Sequence, residues 1–151
     1  YLREEEPIIG VLEFPRLGET FWAEKGKGAF LNGEKIRVSR IKEAHRAIVG
    51  TGFPREVGEW ELMEPAYAQI VTKCQALRSL GSAALGVAYV ACGRLEGYLQ
   101  LGLSFYDVAA GVCLVEEAGG EIKELEGKEW SVRSRSILAT NSEIELEKFL
   151  T

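Results

Sequence analysis

Aspartate is nearly absent from this chain: of its 23 acidic residues all but one are glutamates, and the exception is Asp107. Histidine and methionine occur once each, and cysteine three times. Cys74, Cys92 and Cys113 are odd in number, widely spaced and set in apolar patterns. That excludes a disulfide framework and a CxxC metal site, and predicts buried, reduced thiols. His45 lies among charged residues before a strand and reads as an exposed side chain rather than a base or ligand. No apolar run is long enough to span a bilayer, and no basic-then-apolar stretch opens the sequence, so a membrane partner is not expected and the expected location is cytoplasmic. Positive charge is also in deficit. With 18 Lys and Arg against 23 acidic residues the net charge is -5, the wrong sign for a protein that displaces counterions from nucleic acid.

What is present is the composition of a globular α/β protein, 46% hydrophobic and 27% charged over 151 residues, enough for one domain with a real core. The chain opens on Tyr1 and runs almost at once into a strand-like segment, so it reads as part of a longer protein. Residues 7–14 and 19–25 are β-rich runs separated by Pro15-Arg16-Leu17-Gly18 and predict a hairpin. Asn32-Gly33 is the pair favoured in a type I′ turn, because both central residues need positive φ. A second hairpin and an antiparallel meander follow.

After Ile41 strands and helices alternate. Strands are expected at 47–52, 76–80, 95–101, 121–123 and 136–140. Helices are expected at 59–73, from Ser82 to about Ala91, at 108–118, and at 142–150 with Ser142 as cap and Glu145 completing a capping box. Gly93-Arg94 and Gly119-Gly120 supply stops. The fold class is α/β, a sheet covered by helices. Glu4 to Glu6 and Glu121 to Glu129 read as solvated turns and edges, and Trp22, Trp60 and Trp130 as packing residues.

Two short stretches could carry chemistry. In Arg78-Ser79-Leu80-Gly81-Ser82-Ala83-Ala84 a strand ends, a glycine turns the backbone and a hydroxyl opens a helix, whose free N–H groups could bind anions or hydroxyls. In Tyr106-Asp107-Val108-Ala109-Ala110-Gly111 a carboxylate sits between a strand and an apolar helix, where it could cap the helix or point into a crevice at the strand's carboxyl end. From the pattern both uses stay open.

Taken in order, Gly26-Lys27-Gly28-Ala29-Phe30-Leu31-Asn32-Gly33, Arg78 to Ala84, Tyr106 to Gly111 and Glu117-Ala118-Gly119-Gly120 resemble the inositol monophosphatase family over nearly the whole chain. The most specific element is the family's Trp-Asp-x-Ala-Ala-Gly signature, matched with tyrosine in place of tryptophan. The resemblance implies a layered sheet-and-helix sugar-phosphatase fold. It also implies a Mg²⁺-dependent phosphomonoesterase acting on a sugar or polyol phosphate, assembled as a homodimer in the cytoplasm. Asp107 would bind a catalytic metal and orient substrate, and Gly81, Ser82 and Ala83 would contact the sugar ring. Gln100 stands where inositol-specific members carry a glutamate, which removes a charge-assisted contact to ring hydroxyls. The family's Asp-Pro-x-Asp-Gly-Thr motif and its upstream glutamate are missing. The chain is therefore expected to be the C-terminal portion of one such domain, residues 1–151, and inactive alone. The rival readings are a fructose-1,6-bisphosphatase or nucleotide phosphatase of the same fold, and a non-catalytic binding or regulatory module.

Overall fold

A computed structural model of the chain describes residues 1–54 and 56–150. A small hairpin of β1 (Leu2–Arg3) and β2 (Glu6–Pro7) precedes the meander. The meander consists of β3 (Ile9–Phe14), β4 (Glu19–Glu24), β5 (Gly28–Leu31) and β6 (Glu34–Lys35), hydrogen-bonded in that order. The period-2 pattern divides its faces. Phe21, Ala23 and Ala29 are buried, while Val11, Trp22 and Phe30 lie in cross-strand register on the other face, Trp22 stacking on Phe30 at 4.2 Å. Asn32 and Gly33 adopt φ 50° and 87°, the left-handed pair expected of the turn.

The second sheet is built from β7 (Ile48–Thr51), β8 (Ala76–Ser79), β9 (Gly97–Leu101), β10 (Glu121–Lys123) and β11 (Ser136–Thr140), in spatial order β10-β11-β9-β7-β8. β8, β7 and β9 are parallel, and β11 and β10 are antiparallel additions. Helices α1 (Val57–Lys73) and α2 (Ala83–Ala91) are the crossovers of the parallel part, and α3 (Phe105–Glu117) follows β9. Val49, Leu99 and Leu138 face Met63, Ala66 and Ile70 of α1 in one buried cluster. Tyr98, Ile137 and Ala139 face α2 and α3 in the other, which the meander closes from the far side. The layers are therefore α1, mixed sheet, the α2–α3 pair and meander. Gly10 allows the last contact, because a Cβ there would collide with the backbone carbonyl of Ala110 in α3.

Two expectations are corrected. Residues 142–150 do not form an α-helix; only a 3-10 turn, Leu146–Phe149, is present. Ser142 is in the left-handed region at φ 62° and its hydroxyl donates to Gly119 O at 2.8 Å. Asn141 forms a side-chain turn before it, its Oδ1 accepting from the N–H groups of Glu143 and Ile144 at 3.1 Å each. Glu145 bonds Lys148 rather than completing a capping box. The thiols are all free, but Cys92 is only half-buried where full burial was expected. His45 is exposed in a 3-10 turn, Ala44–Arg46, as its charged surroundings predict. Among the described residues no helix is long and apolar enough to cross a membrane.

Candidate active site

The parallel strands β7, β8 and β9 all end on one side of the sheet, and there the chain leaves each strand for the helix that follows. Helices cover both faces, so the loops at these ends border a crevice. It has a volume of about 600 Å³, and its lining includes Gly52 and Phe53 after β7, Ser79, Gly81, Ser82 and Ala83 after β8, and Gln100, Leu103, Tyr106 and Asp107 from β9 and the start of α3. All five residues singled out in the sequence, Gly81, Ser82, Ala83, Gln100 and Asp107, therefore border one cleft.

Each is held there by local chemistry. Gly81 takes φ 71°, a turn that an L side chain would strain. Ser82 then caps α2, its Oγ accepting the Leu85 N–H at 3.3 Å. The first-turn N–H groups of Ala83 and Ala84 have no partner within the helix, and both residues line the cleft. Asp107 sits in the first turn of α3, where Ser104 is the N-cap, and its Oδ2 accepts the Ser104 N–H at 2.9 Å. The carboxylate thus caps its helix and also borders the cleft, so the two uses left open by the sequence coexist. Among the described residues Oδ1 makes no hydrogen bond to protein. Two helix N-termini, with their partial positive charge, converge on this space, which suits an anion.

The cleft floor is a small network. The Thr51 hydroxyl donates to Leu99 O at 2.9 Å, and the Tyr67 hydroxyl to Gly52 O at 3.2 Å, which ties α1 to the end of β7. Burial pushes the Tyr67 phenol above its ordinary value. The buried Tyr98 hydroxyl donates to Gln100 Oε1. Sequence reading did not pick out Gly52, Phe53 or Tyr98. Thr51-Gly52 ends a strand beside a strand-to-helix crossover, and that was the one signal available. The Arg78 guanidinium, by contrast, bonds its neighbour's carbonyl, Leu77 O, at 3.0 Å and is exposed.

Asp107 is the only carboxylate among the described lining residues, and no group of three or more His, Cys, Asp or Glu among the described residues could hold a metal ion. Mg²⁺ sheds its water reluctantly and needs several hard oxygens. The described residues therefore offer one ligand and do not by themselves fit a metal centre.

A family model, the inositol monophosphatase family, matches residues 1–151. The inositol-1-monophosphatase of Caulobacter vibrioides is 37% identical over 147 residues, covering 94% of this chain and 57% of that protein. The fructose-1,6-bisphosphatase/inositol-1-monophosphatase of Thermotoga maritima is 37% identical over 143 residues, covering 93% and 53%. Among solved structures, the extragenic suppressor protein suhB of Bartonella henselae superposes with a TM-score of 0.91 at 35% identity, covering 95% of this chain and 56% of that one. The layered α/β fold is that of the inositol monophosphatases, and the chain belongs to the inositol monophosphatase family, a phosphatase family. It spans about half the length of the curated relatives it matches.

Proposed function

We propose that the chain is the substrate-holding portion of a phosphomonoester hydrolase acting on a sugar or polyol phosphate, with Mg²⁺ as cofactor. The observation that carries this is the convergence, at the carboxyl ends of three parallel strands, of two helix N-termini, the Asp107 carboxylate and the Gln100 amide on one cleft. In this reading the free Oδ1 of Asp107 is one metal ligand, and the other ligands come from the part of such a protein that this chain does not span. Bound Mg²⁺ would activate a water and neutralise charge developing on the phosphoryl oxygens. The residues described here do the rest. The Ala83 and Ala84 N–H groups bind acceptor oxygens of the ester, and Gln100 hydrogen-bonds an oxygen on the leaving group. Gly81 lets the α2 N-terminus approach, and Asp107 is kept in place by its bond to Ser104. The same proposal includes a homodimer and a cytoplasmic location, and the solution mass checks the first.

The test is phosphate release from a panel of sugar, polyol and nucleotide phosphates, with and without Mg²⁺. It is run on this chain, on a version extended at its N-terminus by the family's metal-binding segment, and on each with Asp107→Asn. The expected result is Mg²⁺-dependent release by the extended protein alone, lost in Asp107→Asn. The amide still has an oxygen to accept from Ser104, so that variant keeps its fold. A folded, extended protein inactive on every ester would overturn the proposal in favour of a non-catalytic binding module.

A further inference from the structure

Three glycines around the cleft floor have no turn to make, and each is needed for space. A Cβ on Gly50 in β7 would stand 2.8 Å from the Tyr98 ring, and a Cβ on Gly86 in α2 would collide with the same ring. A Cβ on Gly52 would collide with the side-chain amide of Gln100. Tyr98 and Gln100 are two residues apart on β9 and so lie on one face of the sheet. Together the glycines form a slot that locks the fully buried Tyr98 ring and lays the Gln100 amide over Gly52.

From this geometry we infer that Tyr98 is a positioning residue that fixes the hydrogen-bonding polarity of Gln100, so that the cleft floor presents an N–H donor to the substrate. The Tyr98 hydroxyl donates to Gln100 Oε1, which commits the amide oxygen to the protein. Burial raises the phenol's pKa, so Tyr98 keeps its proton and remains a donor. The Nε2 hydrogens make no hydrogen bond among the described residues, and no buried side-chain nitrogen or oxygen among them lacks a partner. Nε2 is thus left to the cleft that Gln100 lines. A fixed donor needs only a lone pair opposite it. The substrate class is therefore a phosphate ester whose leaving group carries an acceptor oxygen, carbonyl as well as hydroxyl. A carboxylate at the same position would accept only, and would repel a carbonyl.

This inference rests on the cleft binding a phosphate ester, but its positioning part has a readout without substrate. The Gln100 side-chain amide is followed by ¹⁵N–¹H NMR in the chain and in Tyr98→Phe, with exposed Gln75 as internal reference. The expected result is a Gln100 pair distinct from Gln75 in the parent and collapsed toward it in Tyr98→Phe; unchanged Gln100 signals would overturn the assignment. The substrate part is read by titrating sn-glycerol 3-phosphate and dihydroxyacetone phosphate, which differ by hydroxyl against carbonyl, into the parent and Gln100→Glu. This variant keeps Tyr98 and so guards against misfolding of Tyr98→Phe. The parent is expected to bind both esters within about three-fold, and Gln100→Glu to disfavour the keto ester by a further ten-fold or so. Equal losses for both esters would overturn the polarity. Binding of neither ester to the parent would overturn the substrate class, leaving the Tyr98 assignment to the amide signals and the proposed function to phosphate release by the extended protein.

Discussion

Asp107 has two carboxylate oxygens, and the fold uses one. Oδ2 is committed to the Ser104 N–H and Oδ1 is not, so a single side chain can fix its helix and still offer an oxygen to the cleft. Glu117, at the other end of α3, opens the Glu117-Ala118-Gly119-Gly120 stretch and has a structural role. Its two oxygens accept the Gly26 and Gly28 N–H groups at 2.8 and 2.7 Å, closing the β4–β5 turn over a separation of 91 and 89 residues. Hydrogen bonds to a charged acceptor contribute more than neutral ones, and an amide here would keep one acceptor oxygen while setting its NH2 group against the other glycine N–H. Glu117→Gln is expected to lower the unfolding free energy by about 1.5–3 kcal/mol in urea titrations. A change under about 0.5 kcal/mol, typical of a neutral surface substitution, would show that the turn stands without this clamp.

At the scale of elements, α3 is the piece around which the others are arranged. It packs on α2 along one side and on the meander along another, and both contacts are close enough to require glycine. A Cβ on Gly111 of α3 would lie 2.7 Å from Val87 Cγ1 and 2.9 Å from Val87 Cβ, which α2 can relieve by a small shift, whereas at Gly10 it would collide with the backbone carbonyl oxygen of Ala110. Alanine at 111 also regains about 1 kcal/mol of helix propensity, set against an overpacking cost of roughly 1–3 kcal/mol. Gly111→Ala is therefore expected to be mildly destabilising, and Gly10→Ala to cost at least about 2 kcal/mol. Thermal melts of the two variants check the order. Equal stability would mean that the meander slides over α3 more freely than the close-packed layers allow. The 142–150 pattern fits a short helix, but Asn141, 1% exposed, is anchored by its Nδ2 donating to Ile41 O at 2.8 Å, Ser142 after it is left-handed, and one 3-10 turn follows.

For the whole molecule, burial of uncharged titratable groups sets the alkaline limit. Burial, with Glu117 and Glu116 nearby, pushes the Cys113 thiol up to about 11, and burial raises the Cys74, Cys92 and Tyr98 groups too. An unfolded thiol releases its proton near 8.5. Between about 8.5 and 11 the folded chain therefore holds more protons than the unfolded one, so stability falls as pH rises through this window. The melting midpoint should drop between about pH 8 and pH 10.5, less steeply in Cys113→Ala, and a midpoint flat across that range would contradict the thiol's burial.

The sequence by itself determined the local steps: the Asn32-Gly33 turn, the Ser82 cap and the alternation that makes the chain α/β, whereas the helix expected at 108–118 opens earlier, at Phe105 after the Ser104 N-cap. Each depends on residues a few positions apart, where period and turn chemistry act directly. Only the tertiary structure decided that Gly52, Ser82, Gln100 and Asp107 share one cleft, that Tyr98 holds Gln100, and that Glu117 reaches back to Gly26. The physical reason is that these meetings follow from the spatial order of β9, β7 and β8 and from how closely the layers approach. Both are set by packing between segments tens of residues apart, and no local pattern in the chain encodes that distance.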